Sequence, residues 1–190
     1  MVRLWKYVLP QVDRGDLRPM LGIAIAGGLC AGLYGAVHDQ LTYAISSEYF
    51  TNVKFRQFHY ADLGLGDRVF AGTVGFIAGW WAGLVMAWFL ARRFIPRQPR
   101  RLAHRQLRLA FSCVLAGGVL CGLLGYAYGL WRGPGADYSA WEWAIEKYRV
   151  TAPWAFVRVA YIHNATYLGG ALGLIAALWL IRPVRSPSAG

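Results

Sequence analysis

The stretch AGGLCAGLYG at positions 26–35 recurs as AGGVLCGLLG at positions 116–125, a shift of ninety residues. Both copies lie inside apolar runs and carry glycines four positions apart, as in the pair Gly28 and Gly32. In lipid, small residues at this spacing let two helix backbones approach closely. The recurrence therefore predicts two equivalent transmembrane helices with glycine-rich packing faces.

Four apolar runs follow one another along the chain, at about 20–37, 69–95, 109–131 and 159–181. Each is long enough for a helix to cross about 30 Å of hydrocarbon, and in lipid the backbone must satisfy its own hydrogen bonds. Composition agrees, because only 15% of the residues are charged, against about a quarter in soluble domains. The sequence predicts an all-α membrane protein with four transmembrane helices in one domain, 1–190.

The ninety-residue shift aligns the remaining membrane segments as well. It superposes Arg68, Gly79, Gly83, Leu84, Ala87 and Leu90 on Arg158, Gly169, Gly173, Leu174, Ala177 and Leu180. Both halves begin on the same side, so they are parallel repeats about an axis along the membrane normal. We predict repeat 1 over about 19–96 and repeat 2 over about 109–186, joined by a basic loop at 97–108.

The net charge of +11 lies on one side of the predicted membrane. Thirteen basic and two acidic residues occupy the two termini and the central segment 92–108, which includes the loop 97–108, whereas the outer loops hold seven of each. The positive-inside rule then places both termini and this loop in the cytoplasm, and we expect a bacterial inner membrane. The loop is predicted to contact anionic lipids rather than nucleic acid. The basic residues on this side are Arg3, Lys6, Arg14, Arg18, Arg92, Arg93, Arg97, Arg100, Arg101, Arg105, Arg108, Arg182 and Arg185.

Each outer loop contains the signals of a short helix. Ser46-Ser47-Glu48 in the first loop, and Asp137-Tyr138-Ser139 in the second, are typical of helix starts. Aromatic residues follow both, so we expect a short helix in each loop, lying at the outer membrane interface. Pro153 is predicted to stand at the start of the fourth long helix.

The glycine spacings permit two interpretations. Gly75, Gly79 and Gly83 form a double GxxxG pattern, and Gly169 and Gly173 form another. Such faces pack helices within one subunit, or they form the interface of a homodimer or of a complex with a partner membrane protein. The sequence leaves both open.

Polar residues near the outer boundary break the internal symmetry. His38-Asp39-Gln40 is predicted to end the first helix, and His163-Asn164 lies about one turn inside the fourth. The shift places His38 over Tyr128 and His163 over Thr73, so duplication of a scaffold does not require these side chains. Because polar residues at membrane depth are costly and often functional, we expect them to form an outer-facing site. The candidate ligand-binding residues are His38, Asp39, Gln40, Tyr43, Glu48, His163, Asn164 and Tyr167.

Several functions remain compatible with this site. The first is a ligand-binding or accessory role. In the second, His38 and His163, with a carboxylate of Asp39, Glu48 or Asp62, bind Zn, Cu or Fe in a metal-dependent enzyme or metal-handling protein. The same imidazoles serve equally as helix-end hydrogen-bonding groups or as a general acid and base. A small transporter has only the internal repeat in its favour, and no catalytic motif decides whether the protein is an enzyme.

The stretches HDQLTY at 38–43, EYF at 48–50 and YIHN at 161–164 resemble an uncharacterised family of small four-helix bacterial inner-membrane proteins. The resemblance covers mainly the first outer loop and the start of the fourth helix. It implies a four-helix membrane fold and no particular activity, and it marks these polar positions as the distinguishing feature of the family.

Overall fold

The computed structural model describes residues 12–96 and 98–183. These residues form helices and connecting turns, and no β-strand occurs among them, which confirms the predicted all-helical class. Arg3, Lys6, Arg97 and Arg185, which entered the charge count, lie outside the described residues. The principal helices are α1 (Arg14–Ile45), α2 (Asp67–Phe94), α3 (Arg100–Arg132), α4 (Glu142–Tyr148) and α5 (Pro153–Leu180).

The first helix is longer than its apolar run. α1 continues to Ile45, so His38, Asp39 and Gln40 lie inside its last turns and do not end it, contrary to expectation. Hydropathy marks only the part of a helix that meets lipid, whereas the helix itself continues until backbone hydrogen bonding is interrupted. No glycine or proline stands between His38 and Ile45, and the residues there tolerate helix.

The basic segment expected as the loop 97–108 is mostly helical, because α3 begins at Arg100. Pro99 immediately precedes the helix, and the residues that follow it include Leu, Ala, Gln and Arg, all good helix formers. The basic side chains therefore extend from the first turns of α3 rather than from a loop.

The connection between α1 and α2 (46–66) and that between α3 and α5 (133–152) both contain short helices, as the sequence predicts. In the first, the Ser46 hydroxyl oxygen accepts a hydrogen bond from the backbone N–H of Tyr49 at 3.4 Å. The helical turns Ser47–Tyr49, Phe50–Lys54 and Phe55–Gln57 follow one another, and the middle one is π-helical. The second connection contains α4, and α5 begins at Pro153 as predicted.

The long helices pack as two pairs, α1 with α2 and α3 with α5. In the first pair Gly35 meets Gly75, and a Cβ atom on either would collide with the carbonyl oxygen of the other. Gly117 and Gly169 stand in the same relation in the second pair. These glycines therefore serve close packing within the chain, where any larger side chain would force the backbones apart.

Hydrogen bonds at both ends show that α3 and α5 run antiparallel over their whole length. The indole N–H of Trp154, at the start of α5, donates to the carbonyl oxygen of Gly129 at 2.7 Å. At the opposite end the Gln106 amide donates to the carbonyl oxygen of Arg182 at 2.9 Å. The start of α3 and the end of α5 consequently lie at the same end of the bundle.

Large apolar side chains cover the outside of the bundle. On α1 they recur at every fourth position and are at least 47% exposed, as Leu21, Ile25, Leu29, Leu33, Val37 and Leu41. A continuous apolar stripe of this length is unusual on a protein surface in water. Three helices, α1, α2 and α3, are long and apolar enough to cross a membrane, so the chain is a membrane protein. Among the described helices, α5 is not apolar enough along its length to be identified in the same way as a helix that crosses a membrane.

A packed core joins the two pairs at the end where α1 and α3 begin. Met20 of α1, Leu90 and Phe94 of α2, Leu107 of α3 and Ala177 of α5 are all buried there, so all four long helices contribute. At the other end Phe50, from the connection after α1, packs with Ala71 of α2 and Val159 of α5 in a second, smaller buried cluster.

Candidate functional site

Between the two helix pairs lies a cavity of about 520 Å³. Its wall is formed by α1, α2, α3 and α5 and consists mainly of small and apolar residues, among them Ala26, Ala31, Ala78, Ala82 and Gly118. Polar side chains concentrate at the end away from the packed core, where the lining includes His38, Asp39, His163, Thr166 and Tyr167. The cavity thus has an apolar body and a polar end.

Three side chains converge at this polar end: His38 and Asp39 from α1, and His163 from α5. The Asp39 Oδ1 atom lies 3.1 Å from His38 Nδ1 and 3.6 Å from His163 Nε2. One potential ligand atom from each residue lies within 4.8 Å of the others. Of the predicted candidates, these three form one group, which we call the His–Asp–His cluster.

Two threonines that the sequence interpretation missed contact the cluster. The Thr42 hydroxyl lies 3.2 Å from His163 Nε2 and donates to the carbonyl oxygen of His38 at 3.1 Å. The Thr166 hydroxyl lies 3.5 Å from His38 Nε2. Residues three or four apart share one face of a helix, so the spacings from His38 to Thr42 and from His163 to Thr166 were the available signal.

The cluster buries a carboxylate. The Asp39 and His163 residues are 4% and 5% exposed, and a carboxylate at such a place is costly unless a positive group compensates it. Lys54 of the first outer connection interacts electrostatically with Asp39. Burial lowers the pKa of the Lys54 ammonium, and the negative charge of Asp39 acts in the opposite direction. Lys54 therefore belongs to the site, although its sequence position suggested only a loop charge.

The connection between α1 and α2, residues 46–66, packs over the His–Asp–His cluster, and we call this segment the roof. The Tyr49 ring lies 5.2 Å from the His163 ring, and the Phe50 ring, whose residue is fully buried, lies 6.3 Å from it. The π-helical turn Phe50–Lys54 carries both Phe50 and Lys54, and such turns occur often at functional sites. Burial raises the pKa of the Tyr49 phenol to about 12, so this hydroxyl stays neutral at physiological pH.

Glu48 does not join the cluster. Its carboxylate accepts hydrogen bonds from the Thr151 backbone N–H at 3.0 Å, the Thr151 hydroxyl at 2.6 Å and the Ala152 N–H at 3.0 Å. Burial alone would raise the pKa of Glu48, but these hydrogen bonds outweigh it and hold the pKa below its usual range. Glu48 therefore attaches the roof to the start of α5. Asp62, another proposed metal ligand, instead accepts the Gly64 backbone N–H at 2.9 Å.

Three other candidates lie away from the cluster. The Gln40 amide donates to the carbonyl oxygen of Arg68 at 2.7 Å, joining α1 to the start of α2. The Tyr43 hydroxyl donates to the Asp67 carboxylate at 3.1 Å. Asn164 is exposed and is not part of the described cavity wall. Only Tyr167, among the candidates outside the cluster, lines the cavity.

No protein-family model, curated protein or solved structure matches this chain. The geometry of the cavity and of the His–Asp–His cluster is therefore the basis for inferring a function.

Proposed function

We propose that the chain crosses a bacterial inner membrane four times, with both termini and the basic first turns of α3 in the cytoplasm. The proposal for α5 is supported by its 28 residues and by its antiparallel packing along the whole of α3. Leu168, Leu172, Ile175 and Trp179 are exposed on one face of α5. Its polar residues His163 and Thr166 lie at the cavity instead, whereas Asn164 is exposed, and together these residues lower the apolar average of the helix.

The two helix pairs are, in this proposal, two copies of one unit. Gly79 of α2 packs against Ala31 of α1. The shift of ninety residues takes Gly79 to Gly169 and Ala31 to Cys121, and Gly169 packs against Cys121. Agreement between the sequence shift and a pair of spatial contacts supports a duplicated unit.

The function that this geometry supports best is the binding of an amphipathic lipid, with its hydrocarbon chain in the cavity and its polar head group at the His–Asp–His cluster. One observation carries the proposal: the cavity is mainly apolar along its body, and its histidine and aspartate side chains lie at one end. Its volume of about 520 Å³ falls in the range of about 300–1,000 Å³ for ligand sites. An apolar cavity does not hold water, whereas a membrane supplies hydrocarbon.

The cavity is also elongated along the helices. Ala26 and His38 both line it and are twelve residues apart on α1, which corresponds to about 18 Å along the helix axis. Met86, Leu90 and Phe111 line its apolar part. A long narrow apolar space fits an extended chain better than a compact polar solute. Tyr167 and the imidazole of His38 stand where a head group would form hydrogen bonds.

Cross-linking tests this proposal. The probe is a single-chain lysophosphatidylglycerol with a photoactivatable diazirine in its acyl chain, added to the full-length protein in detergent micelles. Ala78 and Ala82 line the cavity one helical turn apart, so the variant Ala82→Phe fills its centre. Val85 is 44% exposed and lies outside the described cavity wall, which makes Val85→Phe a control of equal final size on the same helix.

We expect the wild-type protein and Val85→Phe to give cross-linked peptides from the cavity wall, and unlabelled lysophosphatidylglycerol to compete for them. Ala82→Phe should lose this competed labelling while keeping the diffuse labelling of the lipid-facing surface. Equal competed labelling of Ala82→Phe and wild type would show that the cavity is not the binding site. Labelling confined to the exposed apolar stripe of α1 would likewise show that the cavity is not the binding site.

A further inference from the structure

We propose that His38, Asp39 and His163 bind one divalent transition-metal ion of the Zn²⁺ type at the polar end of the cavity. This inference goes beyond lipid binding and does not depend on it. Two imidazole nitrogens and one carboxylate oxygen are donors that zinc prefers. Three protein ligands are also the number found in sites where a further position stays open for a water or a substrate.

The separations within the cluster suit a single ion. Zinc bonds of about 2.0–2.1 Å in tetrahedral geometry place neighbouring ligand atoms about 3.3 Å apart. Asp39 Oδ1 lies 3.1 Å from His38 Nδ1 and 3.6 Å from His163 Nε2, on either side of that value. The three ligand atoms lie within 4.8 Å of one another, so the two imidazoles would have to move closer together by about 1.5 Å to surround one tetrahedral ion.

The charges at the site also favour a cation. The Asp39 carboxylate is 4% exposed, so its negative charge requires a positive group nearby. The Lys54 ammonium, which interacts with it from the roof, is itself partly desolvated. A divalent ion among the three ligands would supply positive charge in direct contact with the carboxylate.

Thr166 provides the outer support that metal-binding histidines usually have. When His38 carries its proton on Nε2, this N–H can donate to the Thr166 hydroxyl, which is 3.5 Å away. The Nδ1 atom, which faces Asp39, is then deprotonated and free to bind a metal. Because the cluster lines the cavity, a ligand completing the coordination would approach from the cavity side.

Metal titration of the full-length protein tests the inference. The protein is purified in detergent without a polyhistidine tag, stripped with EDTA and titrated with Co²⁺ and Zn²⁺. Elemental analysis gives the stoichiometry, and the visible absorption of bound Co²⁺ reports the coordination. The variants are Asp39→Asn, His163→Asn and Thr166→Val. His59→Ala and His104→Ala remove exposed histidines, whose rings hydrogen-bond the backbone oxygens of Arg56 and Arg100, and serve as controls.

We expect the wild-type protein and both controls to bind one Co²⁺ per chain, displaced by equimolar Zn²⁺ and not by Mg²⁺ or Ca²⁺, which prefer oxygen ligands. Asp39→Asn and His163→Asn should lose the Co²⁺ spectrum. Thr166→Val should weaken binding about 10- to 100-fold, the usual effect of losing such a supporting contact.

Three results would overturn the inference. The first is a stripped wild-type protein that takes up neither ion at micromolar concentration. The second is equal loss of binding in the His59→Ala or His104→Ala control, which would mean adventitious binding at the surface. The third is a Co²⁺ spectrum that survives in both Asp39→Asn and His163→Asn. The titration of the wild-type protein tests whether the chain binds a metal ion even where a variant fails to fold.

Discussion

The imidazole rings of His38 and His163 lie edge to face, with their centroids 4.8 Å apart. One ring belongs to α1 and the other to α5, which are in different helix pairs. The Asp39 carboxylate oxygen lies within 3.6 Å of a nitrogen of each ring. A metal site requires this approach, and the same contact joins the two helix pairs beside the cavity.

The contact between Asp39 and His163 should contribute to stability even without a metal. In EDTA, His163→Phe keeps a ring against Tyr49 and Phe50 but removes the imidazole that hydrogen-bonds the Thr42 hydroxyl at 3.2 Å and lies 3.6 Å from the buried Asp39 carboxylate. We expect this variant to lower the free energy of unfolding by about 1–3 kcal/mol. Unfolding in detergent, followed by circular dichroism, measures the change.

A double-mutant cycle separates this contact from ring packing. Once His163→Phe is present, the further change Asp39→Asn should cost less than it does in the wild type, with a coupling energy of about 0.5–3 kcal/mol. Two changes that simply add, within about 0.3–0.5 kcal/mol, would mean that Asp39 and His163 do not interact energetically.

The glycine contact between α1 and α2 should not tolerate a methyl group. A Cβ atom at Gly35 would collide with the backbone of Gly75, which cannot move as a flexible side chain would. We expect Gly35→Ala to lower the free energy of unfolding by about 1–3 kcal/mol, as overpacking does. Gly22→Ala is the matched control on the same helix, because nothing lies within 4 Å of its Cβ position. A Gly35→Ala protein as stable as Gly22→Ala would refute this packing.

The attachment of the roof through Glu48 should depend on pH. Since the folded state holds the pKa of Glu48 below its usual range, the stabilisation is fully present above the unfolded pKa of about 4.3. It is lost as the pH falls through the folded pKa. We therefore expect the stability difference between wild type and Glu48→Gln to be constant above about pH 5.5 and to shrink at lower pH.

The magnitude of this effect follows from the hydrogen bonds. Loss of the charged acceptor for Thr151 and Ala152 should cost about 1 kcal/mol at neutral pH, after allowance for solvent exposure. Glu146→Gln removes an exposed acid from the end of α4 and should give no comparable change. A difference between wild type and Glu48→Gln that stays constant down to pH 3 would contradict the proposed role.

The proposed sidedness can be read by cysteine labelling. Cys30, Cys113 and Cys121 are replaced by alanine, and a single cysteine is introduced at His104, Ser139 or Arg182. A membrane-impermeant maleimide should label Ser139→Cys in intact spheroplasts, and His104→Cys and Arg182→Cys only after permeabilisation. Labelling of Arg182→Cys from outside would mean that α5 does not cross the membrane.

Much of the fold follows from local sequence properties. The long apolar runs predict helices because a backbone in lipid must bond to itself, and Ser46 and Pro153 mark helix starts through their own side chains. The ends of the helices follow less well. α1 passes the end of its apolar run to reach Ile45, and α3 takes up most of the basic segment, because helices do not stop where hydropathy falls.

The candidate site could be predicted in part. The departure of His38, Asp39 and His163 from the internal repeat indicated the residues that the structure brings together. It did not distinguish Asp39 from Glu48, since both carboxylates are at the outer end. Asp39 points into the bundle, whereas Glu48 binds the backbone of Thr151 and Ala152 before α5. Which of the two carboxylates joins the cluster therefore depends on where this segment, distant in sequence, lies in the fold.

The sequence by itself determined the helical class, the glycine-rich packing faces and the positions of the unshared polar residues. These are periodic or local patterns, readable without knowing which helix neighbours which. Only the tertiary structure decided that the two helix pairs leave a cavity between two packed ends, with the His–Asp–His cluster in its wall. That cluster joins side chains from α1 and α5, and no pattern within either helix specifies how two rigid helices cross.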